Sequence, residues 1–388
     1  MTPDLMKKIK PSVKAARLSD IYQFSEKIAD IPGLINLTLG EPDFPTPRHV
    51  KDAAIAAINA DQSHYTATRG LLETRTAAAQ FLRNKYQLDY DPTTQVVITN
   101  GVTEAMYVAL ETFVNPQDEI LMPTPAFPVY DSLLELNEAR LVEINTANDQ
   151  FQLTPARLQT ELAAHPKAKA IILNFPANPT GVSYCRKQVQ ELAAVLAKTD
   201  LLVISDEIYS ELTYDQTHTS IAEFIPAQTL LFNGLSKSHA MTGWRIGVVA
   251  GPADIMTEIA KVHELISTSV MTAAQIAATA AFRDGEDDAA QMRVEYERRR
   301  DYLHTALNDL GFANQLPQGA FYLFAKIPQQ FNQNSYEFCL EVARKARVGL
   351  IPGSSFGAGG EGYVRISYAT SQAKLEEAVA RLKAYVNG

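Results

Sequence analysis

Between residues 95 and 250, short continuous apolar runs alternate with segments of helical period, which restricts the chain to few architectures. Gln95–Thr99, Glu119–Met122, Ala170–Asn174, Leu201–Ser205, Thr229–Asn233 and Gly247–Ala250 read as strands. Thr103–Phe113, Tyr130–Leu136 and Arg186–Lys198 carry apolar residues at helical spacing. Runs that are apolar throughout, not in alternate positions, belong to strands buried on both faces. The expectation is an α/β fold with a mostly parallel central sheet covered by helices. Val262–Arg283 reads as one helix, and a long charged helix starts near Ala289. Beyond it, Gly319–Phe324 and Tyr363–Ser367 read as strands, with helices over Ser335–Ala346 and from Ser371. These last elements suggest a smaller α+β unit. The expected division is an N-terminal arm over 1–45, a large domain over 46–285 and a small domain over 286–388. The Gly-rich stretch Gly357–Gly362 reads as a flexible loop, and the arm has an amphipathic turn around Leu5, Met6 and Ile9.

The 388 residues are 46% hydrophobic and 20% charged, enough for a large core. The net charge of -9 argues against a surface that tracks a phosphate backbone, so no nucleic-acid partner is expected. Cys185 and Cys339 stand in unrelated contexts, without the spacing of a zinc site or a disulfide framework. Two free thiols fit a reducing cytosol. No apolar run reaches the ~20 residues of a membrane helix, and residues 1–14 lack a secretory h-region. The expectation is a cytoplasmic protein with no metal and no membrane partner.

In a sheet of this kind, functional groups collect beyond the carboxyl ends of the strands. Thr99–Glu104 joins a strand to a helix, and Gly101 permits close approach of a ligand to the helix N-terminus, where N–H groups favour anions. A plain capped turn is an equal reading. Asn178, held extended by Pro179, either projects its amide into a cleft or belongs to a simple turn. Asp206 follows a strand and either holds a proton on a ring nitrogen or starts a helix with Ser205 and Glu207; Tyr209 lies three positions on. Lys237, next to Ser236 and eight positions before Arg245, either suits an amine that holds an aldehyde cofactor, with a hydroxyl and a guanidinium left for a phosphate, or belongs to an ordinary loop, where Lys and Arg are common. Arg365, between Val364 and Ile366, faces either solvent or a site where it would clamp a carboxylate.

These segments occur in one order: Asn178 to Gly181, Asp206 to Tyr209, Ser236 and Lys237, Arg245, then Arg365. In that order the chain resembles the class I/II aminotransferases of the pyridoxal-phosphate-dependent transferase fold type I. The resemblance runs from Leu39–Phe44 to Tyr363–Arg365. Ser205–Tyr214 and Asn233–His239 are similar to a bacterial branch that includes N-acetyl-LL-diaminopimelate and aromatic-amino-acid aminotransferases. It implies that Lys237 bonds covalently to the aldehyde of pyridoxal 5′-phosphate and later moves a proton. It implies that Asp206 pairs with the pyridine nitrogen, that Asn178 and Tyr209 donate to the ring 3′-oxygen, and that Phe127 stacks on the ring. The phosphate would rest on the backbone of Gly101, Val102 and Thr103, on Ser236 and Arg245, and on Tyr65 from a second subunit. Gly40 would admit the substrate and Arg365 would bind its α-carboxylate. A homodimer with shared active sites follows from the carry-over of Tyr65.

Two positions depart from the pattern. Leu72 stands where many relatives have proline. Ser236 directly precedes the lysine, whereas some subgroups place a phosphate-binding serine three residues before it, where this chain has Gly234. No second arginine for a side-chain carboxylate is evident. The resemblance implies a transaminase acting on an amino acid and a 2-oxo acid, with glutamate and 2-oxoglutarate as one pair and N-acetyl-LL-diaminopimelate or an aromatic amino acid as the other partner. A carbon–sulfur β-lyase on the same fold is the alternative. An aminotransferase-like regulatory module is more remote, because the negative charge does not suit DNA.

Overall fold

The structure, a computed structural model, describes residues 5–16, 18 and 20–388. The first four residues of the N-terminal arm lie outside the described residues. Strand β1 (Ile35–Asn36) is short. The next seven are β2 (Val96–Thr99), β3 (Glu119–Thr124), β4 (Arg140–Asn145), β5 (Ala170–Asn174), β6 (Leu202–Asp206), β7 (Thr229–Gly234) and β8 (Gly247–Ala250). They form one sheet in the order β2-β8-β7-β6-β5-β3-β4. All its pairings are parallel except those of β8, which runs antiparallel to both neighbours. The continuous apolar runs are buried throughout β2, β7 and β8, as a doubly covered sheet requires. Alternate residues enter opposite layers: Val97 and Val249 pack with the helix Val102–Phe113, while Ile98 and Val248 pack with helices Leu72–Tyr86 and Thr272–Asp284. Leu72 is the first residue of its helix, a position that proline would also suit.

Four later strands complete the set: β9 (Tyr322–Lys326), β10 (Val348–Gly349), β11 (Ile351–Pro352) and β12 (Tyr363–Ser367). Strands β11, β12 and β9 make an antiparallel sheet, and β10 pairs in parallel with β1. Ile21, Phe24 and Ile28 of the helix Asp20–Ala29 join the same apolar cluster as Phe338, Val342 and Leu375. Residues from the two ends of the chain therefore share one core. In the arm, a 3-10 turn covers Leu5–Lys8, with Leu5 and Met6 exposed.

Three local expectations change. The segment read as one helix over Val262–Arg283 is two helices, Ala253–Ser267 and Thr272–Asp284. Thr268 adopts φ +60°, and the run Ser267, Thr268, Ser269 offers hydroxyls that compete with helical backbone bonding, so apolar period alone misses the break. The strand read from Gly319 starts at Tyr322, because the N–H of Gly319 donates to the Gly181 carbonyl and that of Ala320 to the Leu212 carbonyl. The Gly-rich stretch is closely packed: Gly353 and Gly360 meet backbone to backbone, and Ala358 N–H donates to Glu143 Oε1 at 2.7 Å.

The approach of β8 to the turn after β2 positions the first helix of the site. A Cβ on Gly247 would lie 2.5 Å from the Gly101 carbonyl carbon and 2.6 Å from Thr99 Oγ1. Gly247→Ala is expected to destabilise the protein by about 1–3 kcal/mol through overpacking. The measurement is the urea midpoint, which should fall at unchanged slope; a midpoint equal to that of the native protein would contradict the close packing.

Candidate active site

The carboxyl ends of β5, β6 and β7 open into a cavity of about 600 Å³. Its walls bring together Gly40, Val102, Thr103, Phe127, Asn178, Asp206, Tyr209, Ser236, Lys237, Arg245 and Arg365. Eleven of the thirteen residues singled out from sequence thus face one space. Gly101 lies just behind it, and Tyr65 does not share it.

Lys237 sits in a short helical turn, Leu235–Ser238, that follows β7. Its Nζ donates to the Gly40 carbonyl at 2.6 Å, so a main-chain oxygen holds the amine. Burial lowers its pKa to about 8; Glu41 and Asp206 work against that, while Arg245 and Arg365 add to it. A lysine tuned in this way is a far better nucleophile and base near neutrality than an exposed one.

Asp206 ends β6 and does not start a helix. Tyr130 Oη donates to its Oδ2 at 2.7 Å, and the Ile208 N–H donates to Oδ1 at 3.1 Å. Burial nevertheless raises its pKa to about 6. A carboxylate so placed favours a cationic N–H partner, which is what a protonated pyridine offers. Asn178 accepts from Arg365 Nη1 at 3.0 Å through its Oδ1, and an amide held by its oxygen turns its NH₂ elsewhere. Phe127 is half-buried and packs edge-on against Tyr130.

The helix Val102–Phe113 begins at Gly101, at φ +80°, with no side chain capping it. Arg245 folds over this glycine, so a Cβ there would overlap the guanidinium. Arg245 donates to the carbonyls of Thr242 and Asn100, not to a carboxylate. Uncapped helix N–H groups beside a guanidinium of this kind suit a phosphate dianion.

Arg365 does not face solvent. It is 2% exposed, its Nη2 donates to the Thr38 carbonyl at 2.6 Å, and its Nε has no protein partner. Burial pushes its pKa below the ordinary value. A buried guanidinium with an unsatisfied N–H at a cavity wall calls for an anionic ligand. Tyr65 is 87% exposed on the outside, beside the start of the helix Thr272–Asp284, where Thr272 Oγ1 donates to the His64 carbonyl.

Motif reading missed Tyr130, Tyr322 and the buried Glu207. Tyr130 lay inside a recognised helix, and only its contact with Asp206 gives it meaning. Glu207 accepts from Ser205 and Ser220 at 2.8 Å and contacts His218 Nε2 at 2.7 Å, behind the site. A carboxylate next to Asp206 in sequence was visible, but its satisfied, fully buried state was not. The donor set fits pyridoxal phosphate: an amine for the aldehyde, a carboxylate for the ring nitrogen, and a helix N-terminus with a guanidinium for the phosphate. Among the described residues there is no cluster of metal-ligating side chains, and no helix is long and apolar enough to cross a membrane.

Comparison with known proteins supplies the wider context. Residues 32–382 match the family of class I and II aminotransferases. The chain is 42% identical to a probable N-acetyl-LL-diaminopimelate aminotransferase of Bacillus subtilis, over 97% of this chain and 95% of that one. It is 38% identical to aromatic-amino-acid aminotransferase 2 of Thermococcus litoralis, over 94% and 95% of the two chains. The solved aspartate aminotransferase from Thermus thermophilus with maleate superposes with a TM-score of 0.92 at 32% identity, covering 97% of this chain and 99% of that one.

The depressed Lys237 pKa predicts how the protein without cofactor takes up pyridoxal phosphate. Capture needs the neutral amine, so the rate should rise roughly tenfold from pH 6 to 7 and level off above about 8. Absorbance after rapid mixing checks this; a rate still climbing steeply at pH 9.5 would show an amine of ordinary basicity.

Proposed function

The chain belongs to the class I and II aminotransferases, pyridoxal 5′-phosphate enzymes acting on amino and 2-oxo acids, and we propose that glutamate and 2-oxoglutarate form one of its substrate pairs. For the second partner the proposal is N-acetyl-LL-diaminopimelate or an aromatic amino acid. One observation carries the reading: a buried lysine amine held by a carbonyl and a buried arginine with a free Nε face the same cavity. The first suits an aldehyde and the second a carboxylate.

When bound, pyridoxal phosphate supplies an electron sink for the pair left at the substrate Cα. Lys237 would hold the cofactor by its aldehyde, and its amine, neutral near pH 8, would serve as the base that moves the substrate's Cα proton. Asp206, oriented by Tyr130, keeps a proton on the pyridine nitrogen. Asn178 and Tyr209 would donate to the ring 3′-oxygen, and Phe127 would pack on the ring. Backbone N–H groups of Gly101, Val102 and Thr103, the Ser236 hydroxyl and Arg245 would hold the phosphate. Gly40 leaves room for the substrate, whose α-carboxylate Arg365 clamps while bonded to Asn178.

The side-chain end favours a long or aromatic substrate. Ile21, Tyr22 and Leu39 line the cavity and offer apolar contact along such a side chain. A homodimer is part of the proposal. Tyr65, Leu265 and Met271 are 87%, 81% and 64% exposed, large side chains that a second chain would cover while Tyr65 of the partner subunit reaches the phosphate. A cytoplasmic role in amino-acid biosynthesis, lysine biosynthesis among the options, fits this substrate set.

The test is the visible spectrum of the cofactor-loaded protein mixed with L-glutamate alone. Loss of the yellow band and its return on adding a 2-oxo acid supports transamination with glutamate, and a panel of 2-oxo acids identifies the partner. A yellow band indifferent to glutamate, with pyruvate released from cystathionine, would favour the β-lyase reading. Arg365→Lys should raise the KM for the amino acid roughly tenfold to a hundredfold, since a charged hydrogen bond contributes about 1.5–3 kcal/mol; steady-state kinetics with an unchanged KM would sink the assignment of Arg365.

A further inference from the structure

Tyr322 lies in β9, away from every recognised motif, yet it touches both halves of the site. In the antiparallel pairing of β9 with β12, Arg365 stands opposite Phe324 and Ser367 opposite Tyr322. Residues two apart on a strand share a face, so Tyr322 is the diagonal neighbour of Arg365 on the cavity side. The result is close: the Arg365 guanidinium carbon lies 4.5 Å from the centre of the Tyr322 ring. The Tyr322 hydroxyl lies 2.8 Å from the Tyr209 hydroxyl. A Cβ at residue 40 would fall 2.5 Å from that same oxygen, so only glycine there leaves the hydroxyl in place. Tyr322 is 1% exposed. The groups facing the tyrosine pair are Arg365, Asp206, Tyr22 and, over the Tyr209 ring at 5.7 Å, Lys237.

We propose that Tyr322 is a positioning residue: its hydroxyl donates to Tyr209 while its ring carries the Arg365 guanidinium, so one side chain sets both the donor to the cofactor ring oxygen and the clamp on the substrate carboxylate. The inference rests on the roles proposed above for Tyr209 and Arg365. Proton accounting gives the direction. Each hydroxyl has one proton. Tyr209 directs its own to the ring oxygen, so the shared proton between the two tyrosines comes from Tyr322. Accepting that bond makes Tyr209 a better donor, and the cation over its ring makes Tyr322 a better one.

The experiment titrates the visible absorbance of the protein loaded with pyridoxal phosphate against pH, in the native protein, Tyr322→Phe, Tyr209→Phe and the double variant. A donor at the ring oxygen favours the deprotonated chromophore and lowers its pH midpoint, so weakening that donor raises it. Tyr322→Phe should raise the midpoint by roughly 0.4–1 pH unit, the worth of one neutral hydrogen bond. In the Tyr209→Phe background the same replacement should move it by less than about 0.3 unit, because its effect passes through Tyr209. Tyr322→Leu also removes the ring under Arg365 and should raise the KM for glutamate a further two- to fivefold over Tyr322→Phe. Equal shifts in both backgrounds, or a stable yellow Tyr322→Phe protein with the native midpoint, would overturn the proposal. A native protein with no visible band would overturn the cofactor site itself, a separate failure. Should the leucine variant not fold, the phenylalanine variant still decides the hydroxyl's part, and Tyr322→Met, which also lacks the ring, replaces leucine in the KM measurement, where a KM equal to that of Tyr322→Phe would overturn the ring's part.

Discussion

A lysine amine buried at the mouth of a parallel sheet, and kept partly neutral there, is the constraint on which the rest of the site depends. Burial of an ammonium is costly unless something compensates for lost water. Here the direct partner is one main-chain oxygen, that of Gly40, while the carboxylates of Glu41 and Asp206 act only through space. A carboxylate in contact would have held the proton firmly. The carbonyl orients the amine and leaves it able to lose its proton near pH 8. The two arginines of the cavity push in the same direction, so the groups suited to substrate and phosphate also tune the lysine.

Asp206 shows the complementary tuning. It is more deeply buried than the lysine side chain, and burial of an acid raises its pKa; Tyr130 and the Ile208 N–H only partly offset that. The site therefore contains a base made easier to deprotonate and an acid made easier to protonate, set by one low-dielectric environment. Environments that push titratable groups toward neutrality are where proton-transfer chemistry is built.

Several glycines serve this arrangement through space, not through flexibility. Gly101 lies under Arg245, Gly40 under the Tyr322 hydroxyl and Gly247 against the Gly101 backbone. Each leaves out a side chain where two functional segments meet. The helix start, the guanidinium and the substrate entrance are thereby brought within one cavity, with the two ends of the chain, packed in a common core, closing it from the far side.

The strands of the central sheet were legible from sequence because a doubly buried strand needs an unbroken apolar run, which is a local property. The order of Asn178, Asp206, Lys237, Arg245 and Arg365 was legible too, since each lies in or beside a recognisable strand. Local patterns were silent where a backbone bond goes to a distant segment. The start of β9 at Tyr322 depends on carbonyls of Gly181 and Leu212, and the break at Thr268 leaves the apolar period undisturbed. Whether Arg365 faces solvent or the cavity was open in the sequence, because alternation along one strand does not say which face is covered. Tyr322 had no signal at all: its meaning comes from the register of β9 against β12 and from Gly40, more than 280 positions earlier. Sequence by itself determined which backbone periods and which reactive groups the chain has. Tertiary structure alone decided which of those groups meet, because contacts between strands far apart in the chain are set by register and close packing, and neither is written in any local run of residues.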